Sequence, residues 1–91
     1  MTAPRRISIF GSTGSVGQST LEVIRHANRS EPRFDLVALA AGRNVAALAA
    51  QALEMRPEIA VIADESCLPE LRERLNGTGI ACAAGESAMI E

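Results

Sequence analysis

The sequence predicts a three-layer α/β fold: a parallel sheet with helices on both faces, truncated at its C-terminal end. Three observations predict it. Short apolar runs alternate with segments of helical spacing along the whole chain, the order produced by βα units with right-handed crossovers. The apolar runs are built from Ala, Val, Ile and Leu, as suits strands enclosed between helical layers. A glycine-rich stretch, Gly11-Ser12-Thr13-Gly14-Ser15-Val16-Gly17, joins the first apolar run to the first helical segment.

The elements follow in order. Residues 5–10 read as a short, partly β-branched strand covered on both faces. Residues 15–27 read as a helix: Gly17, Leu21 and Ile24 recur at helical spacing, and Val16, Thr20, Val23 and Ala27 form an adjoining stripe. Arg25 and His26 fall where a cation complements the helix dipole. A polar loop containing Pro32 ends this unit. Residues 34–41 are a second strand, followed by Gly42-Arg43-Asn44, with Asn44 as N-cap of a helix over residues 45–55. Pro57 closes that segment, and residues 59–63 are the third strand. Asp64-Glu65-Ser66 supply a cap; Leu68, Leu71 and Leu75 give a third helix its apolar face, with Arg72, Glu73 and Arg74 in water. After a turn at residues 76–79, residues 80–83 form a short fourth strand, and a further helix starts at Gly85. A domain that stops partway into a helix reads as part of a longer chain.

Composition narrows the function. The chain has 91 residues, 47% of them hydrophobic, which is enough for one modest core and too apolar for a disordered tail. Only 2% are aromatic, so the core rests on aliphatic side chains. The net charge is −2 without a basic stripe, which argues against nucleic-acid binding. No apolar run is long enough to span a bilayer and no signal core precedes the first strand, so a cytoplasmic protein without membrane partners is expected. All nine basic residues are Arg; without Lys there is no Schiff-base or lysine general-base chemistry.

The glycine stretch carries the chemistry. Three glycines spaced G-x-x-G-x-x-G between strand and helix are a variant of the dinucleotide fingerprint. The first allows the tight turn, the second leaves room for a pyrophosphate on bare backbone, and the third lets the helix pack closely. The helix N-terminus offers unpaired N–H groups to an anion. This context makes the fold Rossmann-like. A P-loop is excluded, because Gln18 follows Gly17 and no Lys can reach a β- or γ-phosphate. At the end of the second strand, where an acidic residue would take a ribose 2′-hydroxyl, the sequence reads Ala40-Ala41-Gly42-Arg43-Asn44. No carboxylate stands there, and Arg43 offers a permanently charged fork for a 2′-phosphate, so NADP is expected over NAD.

Other candidates read as structural. Asp64 and Glu65 suit a helix cap better than a metal site, and no third ligand lies near in sequence. His26 reads as a surface or cap residue. Ser12, Thr13 and Ser15 have no paired base and belong to the phosphate loop. Cys67 and Cys82 lack metal spacing and read as reduced thiols.

Taken together, Arg6-Ile7-Ser8-Ile9-Phe10-Gly11-Ser12-Thr13-Gly14-Ser15-Val16-Gly17 and Ala41-Gly42-Arg43-Asn44-Val45 closely resemble the N-terminal region of the 1-deoxy-D-xylulose 5-phosphate reductoisomerase family, with its G-S-T-G-S-I/V-G loop and A-G-R/K-N segment. The resemblance spans essentially all 91 residues. It implies an NADPH-dependent enzyme of non-mevalonate isoprenoid biosynthesis that converts 1-deoxy-D-xylulose 5-phosphate to 2-C-methyl-D-erythritol 4-phosphate. It also implies a divalent metal, Mg or Mn, a phosphosugar substrate, and a homodimer of long multidomain chains. By match to the family motifs, Thr13, Gly14, Ser15 and Val16 would contact the cofactor phosphates, and Gly42, Arg43 and Asn44 the adenosine side. The family's catalytic and metal residues lie beyond Glu91, so residues 1–91 are expected to be inactive alone. Two other readings remain: another NADP oxidoreductase with a G-x-x-G-x-x-G loop, such as an extended short-chain or a semialdehyde dehydrogenase, and a non-catalytic nucleotide-binding module.

Overall fold

The computed structural model describes residues 5–29 and 34–85. Four strands and three α-helices alternate: β1 (Arg5–Phe10), α1 (Ser15–Ala27), β2 (Phe34–Ala41), α2 (Val45–Met55), β3 (Ile59–Ile62), a 3₁₀ turn (Glu65–Cys67), α3 (Leu68–Arg74) and β4 (Ala81–Ala84). The strands are parallel and lie in the order β1-β2-β3-β4. Each right-handed crossover therefore steps the same way, which sets α1, α2 and α3 side by side on one face. An Arg25–Glu54 ion pair joins α1 to α2. The helix expected from Gly85, and the covering of the second face that it would begin, lie outside the described residues.

The parallel α/β expectation is met. Leu39, Ala41, Ala60 and Ile62 meet Leu21, Leu48, Ala49, Ala52, Leu71 and Leu75, and Ile7, Ile9, Cys82 and Ala84 pack at the margins. Alanines on both α2 and the strands let that helix lie close to the sheet. A bulge keeps the pattern in phase at the first pair: Ile7 pairs with Leu36 but Ser8 pairs with Ala38, so Val37 is extra. Leu36 and Leu39 therefore both face the helices despite their odd spacing. The Val37 carbonyl is not orphaned; it accepts from Glu58 N at 3.0 Å.

Two expectations need correction. Among the described residues the first strand is not covered on both faces. Among the described residues β1 pairs only with β2, and Phe10 is 55% exposed. Among the described residues the sheet grows away from β1, which leaves that strand at its edge. The Val16–Val23 stripe of α1 is also uncovered, at 79% and 66% exposure, because α1 seats itself through Gly17, Leu21 and Ile24.

Connections are closed locally. Asn28 Nδ2 donates to Phe34 O at 3.1 Å while Phe34 N donates to Asn28 Oδ1 at 3.0 Å, so one side chain mimics a strand partner at the start of β2. Helix α2 ends at Arg56, whose φ of 54° is left-handed, with its N–H bonded to Ala52 O at 2.8 Å. Arg56 bears the Cβ penalty of that conformation without a compensating side-chain bond among the described residues. Arg56→Gly should raise stability by roughly 0.5–1 kcal/mol in chemical denaturation, the relief being partly offset by a freer unfolded chain.

Candidate functional site

Three loops meet at the C-terminal edge of the sheet, where open α/β folds bind ligands. They follow β1, β2 and β3, and backbone bonds stitch them together: Ser12 N donates to Ala40 O at 3.0 Å, Ala63 N to Ala41 O at 2.8 Å, and Asp64 N to Gly42 O at 3.0 Å.

Each glycine of the first loop does a different job. Gly11 sits at φ +70°, where a side chain is strained, and its carbonyl accepts from Gly14 N at 3.1 Å to close the turn. Gly14 is the N-cap of α1 in an extended conformation, and no side chain caps that helix. A Cβ on Gly14 would meet only Gly11 O, at an ordinary 3.5 Å, so the space above it is open. Gly17 is different: a Cβ there would lie 2.3 Å from Gly11 O and 2.6 Å from Ser12 Cα. Only glycine lets α1 start so close beneath its own loop.

Two glutamines hold the loop in place. Gln18 Nε2 donates to Thr13 O at 2.8 Å and Gln51 Nε2, reaching over from α2, donates to Ser12 O at 2.7 Å. The loop carbonyls are thus occupied by amide donors. The first-turn N–H groups of α1 remain for an external acceptor and carry the positive end of the helix dipole. Beneath the loop, Ser12 Oγ and Gln51 Oε1 are buried without a hydrogen-bond partner among the described residues, a concentration of unpaired polarity that packing alone does not favour.

The second loop faces this one from β2. Gly42 has nothing within 4 Å of where a Cβ would stand. Asn44 has φ −82° and ψ 80° at the centre of an inverse γ-turn, with Val45 N donating to Arg43 O at 2.9 Å. Its Oδ1 caps α2 by accepting from Ala47 N at 3.2 Å. Arg43 is 84% exposed, and its Nε lies 3.4 Å from Asp64 Oδ2. Asp64 Oδ1 in turn accepts from Ser66 Oγ at 2.6 Å and Ser66 N at 3.0 Å. The side-chain and backbone donors of Ser66 hold the Asp64 carboxyl below its ordinary value against the opposing pull of desolvation, and the Arg43 guanidinium adds a lesser lowering.

The structure brings all the sequence-predicted site residues to one edge: Thr13, Gly14, Ser15 and Val16 on the first loop and helix turn, Gly42, Arg43 and Asn44 on the second. Sequence reasoning passes over Gln51 and Asp64 as site residues. Gln51 lies 39 positions from Ser12, with no local motif to mark it. Asp64 is legible as a cap, but not as the carboxylate beside Arg43. Among the described residues no three His, Cys, Asp or Glu side chains gather into a metal site, and no helix is long and apolar enough to cross a membrane. Cys67 and Cys82 are free thiols.

This geometry can be set beside known proteins. A profile described as 1-deoxy-D-xylulose 5-phosphate reductoisomerase matches residues 7–91. The chain belongs to this family. Reductoisomerases of that name from Jannaschia sp. and Rhodospirillum centenum are 49% and 52% identical to it over 87 residues, which is 96% of this chain but 21% of each relative. Among solved structures, the Zymomonas mobilis reductoisomerase in complex with NADPH superposes with a TM-score of 0.89 at 41% identity, over 99% of this chain and 23% of that one. A reductoisomerase in complex with NADPH, fosmidomycin and magnesium gives 0.83 at 28% identity, over 96% of this chain and 21% of that one. The chain thus spans about a fifth of the length of the reductoisomerases it matches.

Two outcomes test the site as built. Gly17→Ala should lower stability by about 1–3 kcal/mol, because the clash is with backbone that cannot rotate away, whereas Gly14→Ala should cost less than about 1 kcal/mol; thermal unfolding of both variants checks the contrast. Because the folded-state pKa of Asp64 lies below the unfolded one, its stabilisation is complete above the ordinary carboxylate range and is lost as pH falls through the folded value. Asp64→Asn should therefore flatten the acid limb of the stability–pH curve.

Proposed function

We propose that this chain is the NADPH-binding N-terminal part of a 1-deoxy-D-xylulose 5-phosphate reductoisomerase, which converts 1-deoxy-D-xylulose 5-phosphate to 2-C-methyl-D-erythritol 4-phosphate in non-mevalonate isoprenoid biosynthesis. The observation that carries the reading is the pairing, on adjacent strand ends, of an uncapped helix N-terminus behind a glycine loop with an exposed arginine. Family membership supports it, as do the solved relatives with NADPH.

The residues present fit that cofactor. Gly14 and Gly42 leave open space where a side chain would otherwise stand, and the first turn of α1 offers donors that no side chain uses. Thr13, Gly14, Ser15 and Val16 would hold the pyrophosphate, with backbone N–H groups as donors. Gly42 would admit the ribose, Arg43 would pair with its 2′-phosphate, and Asn44 would border the adenosine side while its Oδ1 caps α2. NADPH, when bound, supplies the hydride that reduces an aldehyde. The protein's part here is placement: Gln18 and Gln51 keep the loop carbonyls away from the anion, and the rigid start of α1 fixes the phosphates, which sets where the rest of the cofactor points.

Residues 1–91 would form the start of an NADP-binding domain, with the catalytic and C-terminal domains, and the ligands for Mg or Mn, elsewhere in the full-length enzyme. Alone, this segment would not turn over substrate. The whole enzyme would be a cytoplasmic homodimer acting on a phosphosugar, with no nucleic-acid partner.

Titration of NADPH and NADH against the full-length protein and its Arg43→Ala variant tests the reading. Loss of the charge-assisted contact should weaken NADPH by roughly 1.5–3 kcal/mol and leave NADH nearly unchanged. Equal losses for both cofactors would remove Arg43 from the 2′-phosphate site.

A further inference from the structure

Arg43 poses a physical problem that its neighbours answer. An exposed arginine has large rotamer entropy, much of which is lost when the side chain is fixed on a ligand. One residue restrains it from two directions. Asp64 donates its backbone N–H to Gly42 O at 3.0 Å, which fixes the main chain immediately before Arg43. The same residue presents Oδ2 to Arg43 Nε at 3.4 Å. Its other oxygen is already held by both Ser66 donors, which favours this orientation of the carboxylate. Occupation of the Nε edge leaves the Nη1 and Nη2 end of the guanidinium without a protein acceptor among the described residues. That end is the one suited to a bidentate phosphate contact.

We propose that Asp64 is a positioning residue for NADP recognition: it holds Arg43 by its Nε edge so that the outer fork of the guanidinium meets the ribose 2′-phosphate. The inference rests on the NADPH reading above and deepens it. It assigns to the end of β3 a part in choosing between the phosphorylated and unphosphorylated dinucleotide. The carboxylate that favours NAD in related folds stands at the end of β2 and bonds the ribose itself. Here the carboxylate stands one strand further along and is turned on the arginine, so its charge serves the opposite preference. Its repulsion of a 2′-phosphate is reduced because Ser66 and Arg43 already share its negative charge.

A double-mutant cycle on the full-length protein tests this, with dissociation constants measured for NADPH and for NADH. Asp64→Asn keeps an acceptor for the Ser66 donors and removes the charge facing Arg43, so the turn remains capped. It should weaken NADPH about three- to five-fold and leave NADH unchanged, as suits an exposed ion pair. Asp64→Glu should recover part of the loss. In the Arg43→Ala background, Asp64→Asn should have no further effect, because its partner is gone. If Asp64→Asn leaves NADPH binding unchanged or tightens it, the carboxylate does not position Arg43 and the proposal falls. It falls equally if the effect persists in the Arg43→Ala background or reaches NADH to the same degree, since the role is then one of stability. Should the wild type show no preference for NADPH, or should Arg43→Ala weaken both cofactors alike, it is the underlying reading that fails, and the cycle distinguishes the two.

Discussion

The backbone of α1 at Gly17 lies almost against the carbonyl of Gly11. A side-chain carbon would have to occupy a point 2.3 Å from that oxygen. With hydrogen there instead, α1 begins directly under the loop that feeds it, and Gly17, Leu21 and Ile24 continue into a buried row. The position of α1 fixes where its free N–H groups point. It also brings α1 beside α2, near enough for the Arg25–Glu54 pair. The orientation of the N-terminal end of α1, the candidate anion site, is therefore a packing result before it is an electrostatic one.

The second layer of control comes from hydrogen bonding. A loop of small residues exposes carbonyls as readily as N–H groups, and a carbonyl turned toward a pyrophosphate would repel it. Gln18 and Gln51 remove that difficulty by engaging the Thr13 and Ser12 oxygens. On the neighbouring strand, Asn44 combines capping of α2 with the γ-turn that carries the chain past Arg43. Both loops are thus shaped by side-chain bonds made within the protein itself.

Much of this is legible in the sequence, for physical reasons that differ by element. The helices α1 and α2 coincide with the residues whose spacing predicts them, since a glycine or an asparagine marks each start. Of the shorter strands, β3 ends one residue early and β4 shifts by one, as expected where a short run of apolar residues holds no register signal of its own. That Thr13 to Val16 and Gly42 to Asn44 share one edge of the sheet is legible because each group lies within one short motif directly after a strand. What stays hidden depends on contacts between distant residues. Among the described residues the strand order leaves β1 at an edge, the bulge at Val37 is visible only against its partner strand, and Gln51 meets Ser12 only after a crossover. Asp64 shows the same limit: its cap to Ser66 is two positions away and readable, while Arg43 is twenty-one positions upstream on another loop.

The Gln51–Ser12 bond also ties the glycine loop to the second βα unit. The strands are added one beside the last, β1 to β4, so each βα unit can dock on its predecessor as it leaves the ribosome. The glycine loop belongs to the first unit, but the donor that steadies it belongs to the second. Until α2 has packed, the Ser12 carbonyl is without that partner and the loop is free to take other conformations. The candidate anion loop, written into the first unit of the chain, is therefore steadied only where the first two βα units have joined.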